Sequence, residues 1–326
     1  MKHAMEQNMM WAYVVNLGDC MWGDYWPGDG GRCIKTEPML FHEPTWIEIS
    51  ERLQKEGCCN TIIFDVGEGV EYDSYPEIKA PGTWSKKKFS DELSRLKSMG
   101  FKVYPQLNFS TCHDKWMGIY SRMISTPMYY EFCRNVIAEI YELFEEPDLF
   151  HLGMDEEAVD NQYKNAMCIV RHSDLYWHDQ NYLFSLVEEK GARPWIWSDY
   201  AWHNQKRRDE FMKNMSREVL CSNWYYGNWQ HIDDFFVSSM YGFIDLEENG
   251  FDQAPVGGNC IKCVEYCRDN MKLTVEKCSK IISPEHLKGY IMASCEMTTV
   301  EKKPRMHEAI DVMKEAYELY YGKIAK

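Results

Sequence analysis

The chain has 326 residues, 45% of them hydrophobic, and a formal charge of −15 at pH 7. That length can bury a substantial core, while the charge excludes nucleic acid, whose phosphates demand a basic surface, and argues against docking on anionic membranes. No apolar run approaches the length needed to span a bilayer.

In chain order, short β-type runs alternate with helical patterns eight times. The expected strands are Ala12–Leu17, Thr61–Val66, Lys102–Leu107, Leu149–Met154, Arg193–Ser198, Glu218–Asn223, Phe251–Val256 and Leu287–Ser294. Helical spacing covers Trp46–Glu56, Ser90–Met99, Pro127–Glu145, Asp179–Lys190 and Ser239–Asn249. Four of these stop at a glycine (Gly57, Gly100, Gly191 and Gly250), the expected left-handed cap. Strands separated by helices of ten or more residues indicate βαβ units and a parallel sheet. Eight units fit a single α/β domain over residues 1–326, a (β/α)8 TIM barrel with long βα loops at its C-terminal face. A doubly wound open sheet is the alternative. Against it, Leu17-Gly18-Asp19-Cys20 after the first strand has no G-x-G-x-x-G form. The acidic, Tyr- and Pro-rich stretch Gly67–Lys87 reads as a βα loop over the mouth.

The C-terminal ends of these strands form one list of polar and aromatic residues. It runs Asp19 with Trp22 and Asp24, Asp65 with Glu68, Asn108 with His113, and Asp155 with Glu156 and Glu157. It continues with Asp199 beside Trp197 and Trp202, Asn223 with Trp224 and Tyr225, Asn259, and Glu296. An acidic, aromatic-lined mouth suits a polyhydroxylated ligand, because carboxylates and amides bond hydroxyls while Trp and Tyr stack on the C–H face of a sugar.

Phe150-His151-Leu152-Gly153-Met154-Asp155-Glu156-Glu157 is the most informative stretch of that list. Neighbouring side chains on a strand point to opposite faces, so Asp155 and Glu156 share a site only where the strand has ended and the backbone turns. The bland alternative is an acidic helix N-terminus. Two chemistries would use such a mouth. Paired carboxylates hydrolyse a glycosidic bond through an oxocarbenium-like state. Alternatively, the acids with His113 or His151 hold a divalent cation for hydrolysis or isomerisation, although no H-E-x-x-H or H-x-H spacing is present. His151 fits a hydrogen-bonded core histidine, or one that orients the acid pair, better than a ligand.

His151-Leu152-Gly153-Met154-Asp155-Glu156 resembles the H-x-G-G-D-E signature at the end of strand four in family 20 glycoside hydrolases, the β-N-acetylhexosaminidases. Met154 stands in place of the second glycine. Val103-Tyr104-Pro105-Gln106-Leu107-Asn108 with His113 resembles that family's strand-three V-x-P-E-I-D and downstream His. Here amides replace both acids, and the His lies one residue further on. Trp195-Ile196-Trp197-Ser198-Asp199 is similar to the strand-five tryptophan and acid, Trp224 with Tyr225 to the strand-six aromatic pocket, and Glu296 to the strand-eight glutamate. No arginine lies in Asn16–Trp22, where the family carries one. The chain thus resembles a divergent, family-20-like barrel.

The resemblance implies exo-hydrolysis of a terminal β-linked N-acetylhexosamine, with no cofactor or metal and a small-molecule or oligosaccharide substrate as partner. The substrate's own 2-acetamido oxygen would attack the anomeric carbon. Glu156 would act as general acid and then base, and Asp155 would orient the acetamido nitrogen. Tyr225 or Tyr226 would donate to the acetamido oxygen, and Trp197 and Trp224 would wall the pocket. The strand-seven end, Pro255-Val256-Gly257-Gly258-Asn259, lacks the glutamate of direct-nucleophile barrels, which agrees with a substrate-assisted route. Two adjacent carboxylates should also split their proton affinities. The missing arginine and the amides Gln106 and Asn108 point instead to a catalytically silent carbohydrate-binding barrel.

Cys260-x2-Cys263-x3-Cys267 has the wrong order for a radical-enzyme cluster and lacks the second C-x2-C of a zinc ribbon, so free thiols are expected. Thirteen scattered cysteines, and no charged-then-apolar leader in Met1–Asn8, point to a reducing, cytoplasmic setting. Lys86-Lys87-Lys88 and Lys206-Arg207-Arg208 are expected on solvated faces, and Gly28-Asp29-Gly30-Gly31 as a plain turn.

Overall fold

The computed structural model describes residues 9–18, 38–162, 165–202, 204–260 and 267–324. Eight parallel strands form one sheet: β1 Met10–Asn16, β2 Thr61–Asp65, β3 Lys102–Gln106, β4 Leu149–His151, β5 Arg193–Trp197, β6 Leu220–Ser222, β7 Val256–Gly258 and β8 Gly289–Ala293. Ladders run from β6 through β1 to β8 and β7. Parallel bridges Cys221↔Gln253 and Trp224↔Val256 bring β6 against the β7 segment and all but close the barrel. Each strand is followed by a helix: α1 Glu43–Glu56, α2 Lys86–Ser98, α3 Pro127–Leu143, α4 Ser173–Glu188, α5 Gln205–Asn214, α6 Asp234–Glu248, α7 Asn270–Ile281 and α8 Lys303–Ile324. This is the (β/α)8 barrel that the alternation predicts.

Period-two alternation sorts the strand side chains into two cores. Trp11, Tyr13 and Val15 of β1 join helix residues such as Trp46, Ile49 and Leu53 in the large outer core. Met10, Ala12, Ile63, Tyr104, Trp195 and Ile291 pack with one another inside the barrel, with no helix residue among them. The inner core is therefore a plug, and anything bound must sit at its rim.

The helices begin earlier than their apolar periodicity: α1 at Glu43, α2 at Lys86, α4 at Ser173 and α6 at Asp234. Side-chain caps at His42, Ser85 and Asp233 set the first turns of three of them, while α4 has no such cap. Ser85 accepts from Lys88 N and Asp233 from Phe236 N. The four predicted glycine stops all have positive φ. Helix α5 escapes a periodicity reading because only Phe211 of its ten residues is buried. The expected strand Phe251–Val256 is displaced: Pro255 has no N–H to give a ladder, and the regular pairing begins only at Val256. No helix among the described residues is long and apolar enough to cross a membrane.

Candidate active site

The site is built on the turn that ends β4. Gly153, Met154 and Glu156 have φ of 71°, 80° and 58°. A side chain at Gly153 would place its Cβ 2.1 Å from Asn108 Oδ1 and 2.6 Å from Asn108 Cα, so glycine is required twice over. Methionine accepts the left-handed conformation next to it, at a cost of about 1–2 kcal/mol for a non-glycine residue. Hydrogen bonds to several neighbouring segments hold the turn. Gly153 N donates to His151 Nδ1 (3.0 Å), Met154 N to Asn108 Oδ1 (3.1 Å), Glu156 N to Asp199 Oδ2 (2.8 Å), and the Cys112 thiol to Glu156 O (2.7 Å).

This backbone cancels the alternation that would separate neighbouring side chains. Asp155 Oδ2 lies 3.2 Å and Glu156 Oε2 3.1 Å from the same atom, His113 Nε2. Asn108 Nδ2 donates to Asp155 Oδ1 at 2.7 Å. An aspartate at position 108 could not make that bond, so the amide suits an ionised Asp155. His151 takes the Gly153 N–H on Nδ1, which leaves its ring proton on Nε2, and its ring packs 4.2 Å from Trp197.

Charge follows from this geometry. Burial opposes a charged His113, but the flanking carboxylates of Asp155 and Glu156 outweigh it and hold the imidazolium well above its ordinary range. Burial would likewise raise Asp155, yet His113 and Asn108 pull it below the usual carboxylate range. Two neighbours go the other way. Asp65, bonded by Gln106 Nε2 at 2.6 Å, is pushed up to about 8 by burial and by the Asp155 charge. Asp199 is raised for the same two reasons, despite the Glu156 N–H. The acid cluster thus splits into an ionised member against His113 and two carboxyls that keep their protons near neutrality.

Trp224 Nε1 donates to Asp199 Oδ1 (3.2 Å), its ring packs 4.4 Å from Trp202, and Tyr226 stacks on it at 5.2 Å. The structure thereby brings Asn108, His113, His151, Asp155, Glu156, Trp197, Asp199 and Trp224 together at the C-terminal rim, with Asp65 and Gln106 beside them. Glu68 is buried on the turn after β2, where a Cβ on Gly18 would fall 2.8 Å from its Oε2. Glu296 follows β8 and pairs with Lys302 Nζ at 3.0 Å.

Three expected site residues turn away. Tyr225 points into the outer core against Trp229 and Phe236, its hydroxyl on Asn228 O, and Tyr226 flanks Trp224 instead. Asn223 has the same outward parity. It accepts from Trp202 Nε1 and donates to Ser239 O on α6, so it supports the wall from behind. Glu157 is closed off in a buried ion pair with Arg171. Arg171 is a residue the sequence reading missed, since nothing local marks a partner fourteen positions on. Of the basic clusters, Lys86, Lys87 and Lys88 form surface ion pairs as expected, but Arg207 donates to Glu157 O and Arg208 pairs with Asp245. Asp19, Trp22, Asp24, Cys263 and the Gly28–Gly31 turn lie outside the described residues.

His113, Asp155 and Glu156 each offer one ligand atom within 4.8 Å of the others, the described group with the makings of a cation site. A metal there would have to displace the proton that His113 shares with both carboxylates.

No family model and no curated protein sequence matches the chain. Solved structures do, and they place it in the (β/α)8 class. Several of the matched barrels are described as GH20 enzymes. One match is from a study of the tandem GH20 catalytic modules of the pneumococcal exo-β-D-N-acetylglucosaminidase StrH (13% identity, 99% of this chain and 88% of that one, TM-score 0.61). Another is a Bacteroides fragilis β-N-acetylhexosaminidase (13%, 98% and 69%, TM-score 0.62), and a third is dispersin B (11%, 95% and 98%, TM-score 0.58). At such identities the likeness is one of fold.

Proposed function

We propose that the chain is a single-domain glycoside hydrolase that removes a terminal β-linked N-acetylhexosamine by a substrate-assisted, retaining reaction. The observation that carries this reading is the convergence of two adjacent carboxylates on His113 Nε2 inside an aromatic-walled mouth. Glu156 is the more exposed of the pair and serves as general acid. Asp155, kept ionised by Asn108 and His113, accepts the acetamido N–H and strengthens the acetamido oxygen as nucleophile. That oxygen bonds to C1 as the glycosidic C–O bond breaks and the leaving oxygen takes a proton from Glu156, one that His113 Nε2 can supply across their 3.1 Å contact. The Glu156 carboxylate then takes a proton from water, whose oxygen opens the oxazolinium ring with net retention. Trp197, Trp224 and Tyr226 wall the sugar.

An aryl β-N-acetylglucosaminide should be turned over, and a thiazoline mimic of the oxazolinium should block turnover. Binding of the mimic without turnover would identify a carbohydrate-binding barrel instead, and neither binding nor turnover would end the sugar reading.

The cation-capable triad favours a second reading, a metal-dependent sugar hydrolase or isomerase. The hydrolase reading expects EDTA-dialysed protein to retain full activity. Activity lost on dialysis and restored by a divalent cation would transfer the site to metal chemistry.

A further inference from the structure

Neither step of that reaction uses Glu157, Arg171 or Asp179, although all three side chains are sealed from solvent. Arg171 grips Glu157 with two parallel bonds, Nε to Oε1 at 2.7 Å and Nη2 to Oε2 at 2.5 Å. Its Nη1 lies 3.3 Å from Asp179 Oδ2 on α4, and its Nη2 also donates to Phe109 O at 3.1 Å. Asp179 is fixed in turn by the hydroxyls of Ser125 and Tyr130, each at 2.6 Å. One guanidinium therefore joins the segment after β3 that carries Asn108 and His113, the turn after β4 that carries Asp155 and Glu156, and helix α4.

Replacing a buried ion pair by apolar groups of similar volume is often neutral or stabilising, so stability alone does not account for this one. The strain next door does offer an account. Met154 and Glu156 sit in left-handed backbone, which persists only where the surroundings over-determine it. Asn108 and Asp199 pin the upstream side of Glu156. On the downstream side, Glu157 is the very next residue, anchored through its carboxylate by Arg171 and through its carbonyl by Arg207 (3.0 Å).

We propose that the Arg171–Glu157 pair is a positioning device for the general acid, holding the Glu156 backbone so that its carboxyl stays beside His113 and faces the leaving group. The assignment rests on the hydrolase reading given above.

The test uses the double variant Arg171→Met with Glu157→Leu, which removes both charges together, and the single variant Arg171→Lys, which keeps charge but not the fork. The double variant still leaves Asp179 buried without its cation, so its thermal midpoint should fall, and at a temperature where it stays folded kcat on an alkyl glycoside should drop on the order of 100-fold, the effect of a misplacement of about 1 Å. KM should move little, and a dinitrophenyl glycoside, whose leaving group needs no proton, should lose much less. Arg171→Lys should recover part of the loss. The His113 imidazole, followed by NMR, should titrate lower in the double variant because Glu156 no longer faces it. Equal losses on both substrates, or an unmoved His113 titration, would overturn the proposal. A wild-type protein that turns over no glycoside would remove the hydrolase reading instead, and the His113 titration would then decide the positioning claim alone.

Discussion

Glu156→Gln should abolish most hydrolysis of a glycoside with a poor leaving group, by about 10²–10⁴-fold, the usual worth of a positioned general acid. The loss belongs to kcat, because glutamine keeps the shape of the side chain and can still bond a sugar hydroxyl. It should shrink as the leaving group improves, since a dinitrophenolate departs without a proton, and slow water attack should then limit the rate. Folding should be nearly untouched. Glu156 is about a third exposed, with a side-chain accessibility of 32%, and solvent screening leaves its pairing with His113 worth under about 1 kcal/mol. Unchanged thermal unfolding beside a collapsed kcat would separate chemistry from stability. Undiminished activity on the alkyl glycoside would take the acid role away from Glu156.

The same variant has a signed pH consequence. His113 owes its raised affinity to two carboxylates, Asp155 first, and Glu156→Gln removes the smaller contribution. The folded pKa lies above the unfolded one, so the imidazolium stabilises the fold fully below the unfolded value of about 6.5, and that stability fades as pH rises through the folded pKa. In the variant that fading should begin at the same pH but be complete at a lower one, and the stability lost should be smaller. Asp65 and Asp199 act in the same sense: both carboxyls are raised in the fold, so stability declines between about 3.9, where the unfolded chain ionises, and their folded values.

The barrel was legible because its signals are periodic. Glycine stops and alternating runs recur along the chain, and the structure moves mainly their edges. The β4 turn was legible because two adjacent acids after a strand make sense only if the backbone leaves the pleat, as it does at Gly153 and Met154. Parity explains two of the site misplacements. Counting by twos from Leu220 puts Ser222, Trp224 and Tyr226 inward, and Asn223 with Tyr225 outward. Glu157 was different in kind. As a carboxylate following two others it looked like more of the same site, and only Arg171, brought in from a loop by tertiary folding, reveals it as an anchor. The raised pKa of Asp199 was equally hidden, because it depends on burial and on Asp155 more than forty residues away.

Gly153→Ala should be among the most damaging single-methyl additions in the chain. Two effects combine at this position. At φ 71° an alanine pays the left-handed penalty of about 1–2 kcal/mol. Its Cβ would also fall 2.1 Å from Asn108 Oδ1 and 2.6 Å from Asn108 Cα, and the second is backbone that no rotamer change can move. Crowding of this kind adds about 1–3 kcal/mol. A total of roughly 2–5 kcal/mol is expected, read as a lower urea midpoint at unchanged slope. Gly57→Ala is the control. It too has positive φ, 67°, but nothing lies within 4 Å of its would-be Cβ, so it should show the conformational penalty alone. Activity should divide the two variants further. Asn108 accepts the Met154 and Ser110 amides and donates to Asp155, so displacing it loosens the acid pair even in molecules that stay folded. Equal destabilisation by the two alanines would mean that the close approach of Gly153 to Asn108 is not what fixes this turn.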